Sequence, residues 1–415
     1  MKTILVFLLL LLPLIMFAQS YTLQELLDQA LEKNTTIKQA QLTLNVSRAR
    51  LSSAKVNYLP DVSAFLGRRE SFDNIMFEGN QTTNSMGFSV TKNISLNNDD
   101  YFTNKNAKHD LTSAEIDFEI KLQNFIFDFI KNYIEVLERQ KSLKLEEDNI
   151  LIQENIVSES QVLFHQNRIT QFEVQTSEIN LLNARINSLS AQNQLKQSRN
   201  SLFDMVNISD EGQDLTEIDL YSEETDFSRK IDFDKILSIR QQNEAANKHR
   251  TNITQTKLDF FPSLSLNYNY GRTLTSPDFT FDTGRTDHTI SLNLSYSLNR
   301  LFKNNYAYKQ TQYLAEHYEL NTSQLLKDIS QKYEQYIDEL TLLVQMKELL
   351  ENRLQQTRHN LETAQQRYRL GRLTKLDIDE ASKNYLDAQI NREKNYYRIM
   401  LTKLSIDQLL SNIKY

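Results

Sequence analysis

Residues 290–299 read ISLNLSYSLN: Ile290, Leu292, Leu294, Tyr296 and Leu298 alternate without a break with Ser291, Asn293, Ser295, Ser297 and Asn299. Successive side chains of an extended chain point to opposite faces, so this pattern sets one face in an apolar medium and the other in water. Just upstream, Leu264, Leu266, Tyr268 and Tyr270 alternate with Ser265, Asn267 and Asn269. Strands are therefore expected at about 263–272 and 287–299.

The same features stand about two hundred residues earlier. Residues 88–97 (FSVTKNISLN) match 290–299, Tyr58-Leu59-Pro60 matches Phe260-Phe261-Pro262, and the run from Phe164 to Val174 matches Tyr368 to Ile378. The chain is a duplication of one long unit, not a short-period solenoid. The first repeat spans 19–206, with weaker alternation at Val62–Leu66 and Met86–Val90 and strands expected at about 61–70 and 85–97. A second repeat spans 233–415, and residues 207–232 form an acidic linker, read as a solvated connector with no binding role. Pro60 and Pro262 stand where helix must give way to strand, because a residue preceding proline avoids the α region.

Between the strand pairs the helix breakers are missing. The 415 residues hold 7 Gly and 4 Pro, with neither from Phe88 to Glu211 nor from Arg285 to Leu370. Long helices follow, at about 101–166 and 301–370, each turning at a hairpin into a shorter helix at about 170–204 and 374–411. Tyr333, Tyr336, Leu340, Leu343, Leu350 and Leu354 lie at coiled-coil spacing, and Leu361, Ala364, Tyr368, Ile378, Ala381, Tyr385 and Ala388 extend the stripe.

At the N-terminus, Lys2, the apolar run Ile4–Phe17 and Ala18 have the layout of a secretory signal peptide at 1–18. There is no cysteine, which excludes disulfides, thiolate metal sites, a cysteine nucleophile and an acylated N-terminal cysteine. The formal charge of -7 with no basic cluster argues against nucleic acid as a partner. The 6 histidines are scattered without metal-ligand spacing, and no phosphate loop or nucleophile elbow is present. The chain is therefore expected to be no enzyme and to need no cofactor or metal.

Four amphipathic strands cannot close a barrel, and an open edge in lipid leaves backbone groups unpaired at several kcal/mol each. Copies must share the barrel: two would give eight strands, filled by side chains, and three would give twelve, with room for a lumen. A secreted coiled-coil scaffold without a pore is the alternative, but it leaves the matched strand pairs unexplained.

The order of elements, the strand-preceding prolines, the opening run Tyr21–Asn34 (YTLQELLDQALEKN) and the hairpin Tyr368–Ala381 (YRLGRLTKLDIDEA) together resemble the TolC-like outer-membrane efflux protein family across the mature chain. The resemblance implies a mixed α/β membrane fold: four strands contributed to a trimeric 12-stranded outer-membrane β-barrel, continued by a coiled-coil helical barrel in the periplasm. It implies a homotrimer in outer-membrane lipid, a periplasmic membrane-fusion adaptor, and an inner-membrane pump of RND or ABC type. The expected function is a passive exit duct for efflux or type I secretion. Family members often carry a proline where the second strand of each pair ends; Ser95-Leu96-Asn97 and Ser297-Leu298-Asn299 stand there instead. Asn167 replaces the glycine found at 371 in the other hairpin, a change the left-handed conformation tolerates.

The resemblance also places candidate sites. Asp377 and Glu380, at i and i+3 on one helix face, match a carboxylate ring at the periplasmic entrance, although acidic residues in a first turn also complement the helix dipole. Glu173, Tyr368 and Arg372 match a polar latch between hairpins. Gln166, Asn167, Arg168, Leu370, Gly371 and Arg372 form the tips that meet the adaptor. Tyr268, Tyr270 and Tyr296 suit either an interfacial aromatic belt or ordinary β packing.

Overall fold

The computed structural model describes residues 21–71, 81–95, 99–210, 212–218, 231–274 and 284–413. The signal-peptide reading at 1–18, the end of the first strand pair at 96–97, and linker positions 211 and 219–230 lie outside the described residues. In order the chain forms α1 (Leu23–Lys33), α2 (Thr35–Val56), β1 (Asp61–Ser71), β2 (Gln81–Ser95), α3 (Asp99–His165) and α4 (Gln171–Val206). A 3-10 turn at Phe233–Lys235 then leads to α5 (Leu237–Leu258), β3 (Ser263–Leu274), β4 (Gly284–Ser295), α6 (Asn299–Arg369) and α7 (Lys375–Leu409). No described helix is long and apolar enough to cross a membrane.

Two compact units result, and neither is a sequence repeat: each gathers segments from both halves of the chain. One comprises Gln39–Ile120 and Leu237–Lys327, the other Met1–Lys38, Lys121–Ile236 and Asp328–Tyr415.

The first unit holds the sheet, antiparallel throughout in the order β1-β2-β3-β4. Register carries each alternating stripe straight across: Val62, Val90, Tyr268 and Ile290 form one row, and Ser63, Ser89, Asn269 and Thr289 the next. One face is thus apolar, with Leu66, Phe88, Ile290, Leu292 and Leu294 exposed on it, and the other is lined by Ser, Thr and Asn. Among the described residues β1 and β4 each keep one unpaired edge. Lys92, on the apolar face near the helices, reaches away from it to the Asn57 carbonyl (2.7 Å) and the Asp100 carboxylate (2.6 Å). Below the sheet, α3 and α5 are joined by His109, whose ring nitrogens meet Glu244 (2.6 Å) and Thr251 (3.2 Å).

Both second strands begin earlier than the alternation predicts, β2 at 81 and β4 at 284, and β4 also ends earlier, at 295. Tyr296 and Leu298 keep the alternating pattern, yet the chain has already left the sheet. Arg300 N–H bonds to the Ser297 carbonyl (3.0 Å) and Leu301 N–H to that of Leu298 (3.2 Å), starting α6 at Asn299. A period-two pattern cannot mark its own end when a serine and an asparagine, both good turn formers, continue it.

The second unit is a helical layer. Arg185–Glu154 (3.0 Å) links α4 to α3; Gln153–Ser382 (3.0 Å) links α3 to α7; Asn395 to the Leu343 carbonyl (3.1 Å) and Arg398–Glu339 link α7 to α6. The layer order along these contacts is α4-α3-α7-α6, and α1 packs against the C-terminal end of α4. Ser177, Ala184 and Ala191 of α4 are buried, whereas Ile179, Leu182, Ile186 and Leu189 on the opposite side are 56% to 66% exposed. The described part of the linker is docked, in contrast to the solvated connector expected. Asp210 holds buried Arg199 at 2.5 Å, Leu215 is buried and bridges to Tyr21, and the Tyr133 hydroxyl donates toward the Thr216 carbonyl (2.9 Å). A buried guanidinium needs a carboxylate, and the acidic composition of this stretch supplies one.

Candidate functional site

The two hairpins at the α3–α4 and α6–α7 turns are closed by the same backbone hydrogen bonds. Asn167 N–H bonds to the Phe164 carbonyl (2.8 Å) and Arg168 N–H to that of Leu163 (2.9 Å); Gly371 N–H bonds to Tyr368 (2.8 Å) and Arg372 N–H to Arg367 (2.9 Å). Both are Schellman closures, which need a left-handed residue at the turn, and Asn167 and Gly371 have φ of 56° and 63°. Three residues on, Thr170 and Thr374 cap the returning helices, each in a capping box with Glu173 or Asp377.

Side by side, the hairpins share one small core. Ile156, Leu163, Tyr368 and Ile378 are buried together, with Ile152, Ile169 and Leu373 packed against them. Arg168 Nη1 donates to the Leu370 carbonyl (3.1 Å), and Arg369 pairs with Glu159. At the centre, the fully buried Tyr368 hydroxyl meets Ser160 Oγ (2.8 Å), which in turn meets Ser177 Oγ (2.9 Å). Burial pushes the Tyr368 hydroxyl above the ordinary tyrosine range. Its bond with Ser160 pulls the other way, and the carboxylates of Glu173, Asp379 and Glu159 add to the rise.

Glu173, Tyr368 and Arg372 are near neighbours in the hairpins but do not bond one another within the chain. The Glu173 carboxylate accepts from Thr170 N–H (2.7 Å) and its hydroxyl (2.9 Å); Tyr368 is engaged by Ser160; Arg372 is exposed and has no side-chain partner among the described residues. Gln166, Asn167, Arg168, Leu370, Gly371 and Arg372 form the adjoining turns, with Arg168 lying across to the second one. Asp377 and Glu380 are both exposed and line a depression of about 440 Å³ with Arg353, Thr357, Asn360, Ala381 and Asn384. Asp377 also accepts from Thr374 N–H (3.2 Å), so it serves its own helix, whereas Asp379 turns away to the buried Lys375.

Ser160 and Ser177 were invisible as site residues in the sequence taken singly. Their one signal is position: Ser160 falls between Ile156 and Leu163 on a coiled-coil seam, where a hydroxyl must find a partner once buried. Among the described residues no cluster of His, Asp or Glu is arranged to hold a metal ion.

The fold has many solved relatives. The chain superposes on the outer-membrane channel OprN with a TM-score of 0.84 at 14% identity, covering 94% of this chain and 90% of that one. It superposes on the Campylobacter jejuni CmeC outer membrane channel (0.82, 16% identity, 94% and 85% covered) and on the outer membrane protein VceC from Vibrio cholerae (0.81, 16%, 94% and 96%). At such identities these likenesses establish the fold. No curated protein was found similar to it in sequence. The family model for outer membrane efflux proteins matches residues 26–207 and 236–412, omitting little more than the linker between the repeats and the two ends. The chain belongs to the outer membrane efflux protein family.

Proposed function

We propose that the chain is one protomer of a homotrimeric exit duct, in which three copies join edge to edge. Their sheets form a twelve-stranded barrel in outer-membrane lipid, and their helical layers a tunnel in the periplasm. Cargo delivered by an inner-membrane pump of RND or ABC type, through a periplasmic membrane-fusion adaptor at the hairpin tips, passes to the exterior without chemistry.

The observation that carries this reading is the open four-stranded sheet with one apolar face and two unpaired edges. Lipid on that face demands closure, because backbone groups there have no water to turn to. A scaffold in water would have no use for Ile290, Leu292 and Leu294 on one exposed side, 65% to 74% open. The second apolar side of α4 supports the same closure, since a helix inside a ring needs a seam toward each neighbour. Symmetry would repeat Asp377 and Glu380 as a ring of carboxylates favouring cations at the entrance. Glu380, free of capping duty, is the stronger member. Glu173, Tyr368 and Arg372 would govern how tightly the tips stay together.

The test is the protein mass of the complex extracted by detergent from outer membranes. Three mature chains are expected; a monomer that stays soluble without detergent would sink the duct.

A further inference from the structure

The polar face of the sheet carries one large apolar side chain among its described residues, Phe65. Its neighbours across the strands are Gly87 on β2 and then Gly271 on β3. A Cβ placed on Gly87 would stand 2.9 Å from Phe65 Cζ, and one on Gly271 would stand 3.4 Å from the same atom. The ring therefore crosses β2 and reaches β3, lying along the sheet through space that two side chains would otherwise fill. At Gly87 the backbone itself enforces the vacancy: a Cβ there would meet the Tyr270 carbonyl oxygen at 2.2 Å. The glycines cover part of the phenyl group, and Phe65 remains 41% exposed on the polar side.

We propose that Phe65 is a stacking contact for flat aromatic cargo, favouring aromatic cations, set into an otherwise hydrophilic wall. It rests on the duct reading, which makes the polar face the lumen and repeats the ring in each protomer. An upright phenyl group would project into the passage; two glycines in one row let it recline and leave its free face open. Ser63, Ser89 and Asn269 in the next row offer only hydrogen bonds, so among the described residues of this face an aromatic solute finds its π contact at this level. An aromatic face holds a ring or a cation by weak, shape-tolerant attraction, which suits a surface that must release what passes.

An aromatic side chain over glycines also steadies a sheet. A leucine at 65 would still cover them but has no π face. The experiment compares two permeating cations of nearly equal size in planar bilayers holding the purified full-length protein. Benzyltrimethylammonium and its saturated cyclohexylmethyl analogue are added on the barrel side, and the dwell times of current interruptions are taken as a ratio within each variant. In the unaltered protein the aromatic ion should dwell roughly 2- to 10-fold longer. Phe65→Leu should bring the ratio to about one, and Phe65→Trp should hold or raise it. A ratio of about one in the unaltered protein, or one unmoved by Phe65→Leu, overturns the stacking role while leaving the duct intact. If Phe65→Leu does not assemble, a ratio lowered by Phe65→Trp overturns it by itself. A protein that passes no current at all sinks the duct reading, and the stack with it.

Discussion

The two hairpins have nearly the same backbone hydrogen bonds but unlike side chains, and the contrast separates what the turn requires from what its surroundings require. Both need a left-handed residue followed by a capped helix, and both have it. Beyond that they diverge. Phe164 of the first hairpin is 37% exposed, while its counterpart Tyr368 is fully buried with its hydroxyl tied to Ser160. Asn167 stands clear, while a Cβ on Gly371 would lie 3.2 Å from Arg168 Cδ. Both hairpins line the core they share, but of the two matched aromatics only Tyr368 sits inside it. A duplication kept the turn chemistry in both copies and the buried aromatic in one.

The sharpest way to break this contrast is to remove both aromatics in turn. Tyr368→Ala should lower the local opening free energy of the hairpin amides by about 3–5 kcal/mol, as for a fully buried aromatic, and Phe164→Ala by less than about 1.5 kcal/mol. Hydrogen exchange on the intact assembly reads both; equal losses would refute the asymmetry. The same tyrosine gives a pH signature. Its folded-state value lies above that of an unfolded tyrosine, so its contribution is complete at neutral pH and is lost as pH climbs past the ordinary tyrosine range toward the folded value. Tip protection should therefore decline in alkali, and less steeply in Tyr368→Phe.

A smaller effect tests the shared part. Thr170→Ala and Thr374→Ala should each cost about 1 kcal/mol, since each deletes an equivalent cap. Clearly unequal losses would mean the caps do not do the same job. The smallest expected effects come from exchanging the turn residues. Asn167→Gly should change stability by only a few tenths of a kcal/mol, whereas Gly371→Asn should cost about 1 kcal/mol because Arg168 must move aside. Arg168→Ala should then relieve most of that penalty, again by hydrogen exchange.

Much of this molecule is legible in its sequence because long-period patterns mark it. Leu264 to Tyr270 and Ile290 to Leu294 announce their strand and their face, and the scarcity of glycine and proline announces the helices. Left-handed Asn167 follows from its alignment with Gly371. Element ends are less legible: Tyr296 and Leu298 continue the alternation past the sheet. Side-chain commitments are least legible of all. Glu173 reads as a latch carboxylate and Asp377 as a ring member or dipole partner, yet each completes the capping box of its own helix, and a serine such as Ser160 looks the same whether it meets water or Tyr368. Nor could the pattern reveal Phe65 lying over Gly87 and Gly271, because that depends on register between strands far apart in the chain.

The pairing of β2 with β3 joins the two repeats, bringing Ser89 against Asn269 across 180 residues of sequence. Contacts so distant in the chain bear a large loop-closure entropy and form late. During synthesis, the first pair of strands emerges with the β2 edge unpaired and waits until well over a hundred further residues have followed. The interval between the two repeats therefore sets how long that edge stays open to wrong pairing.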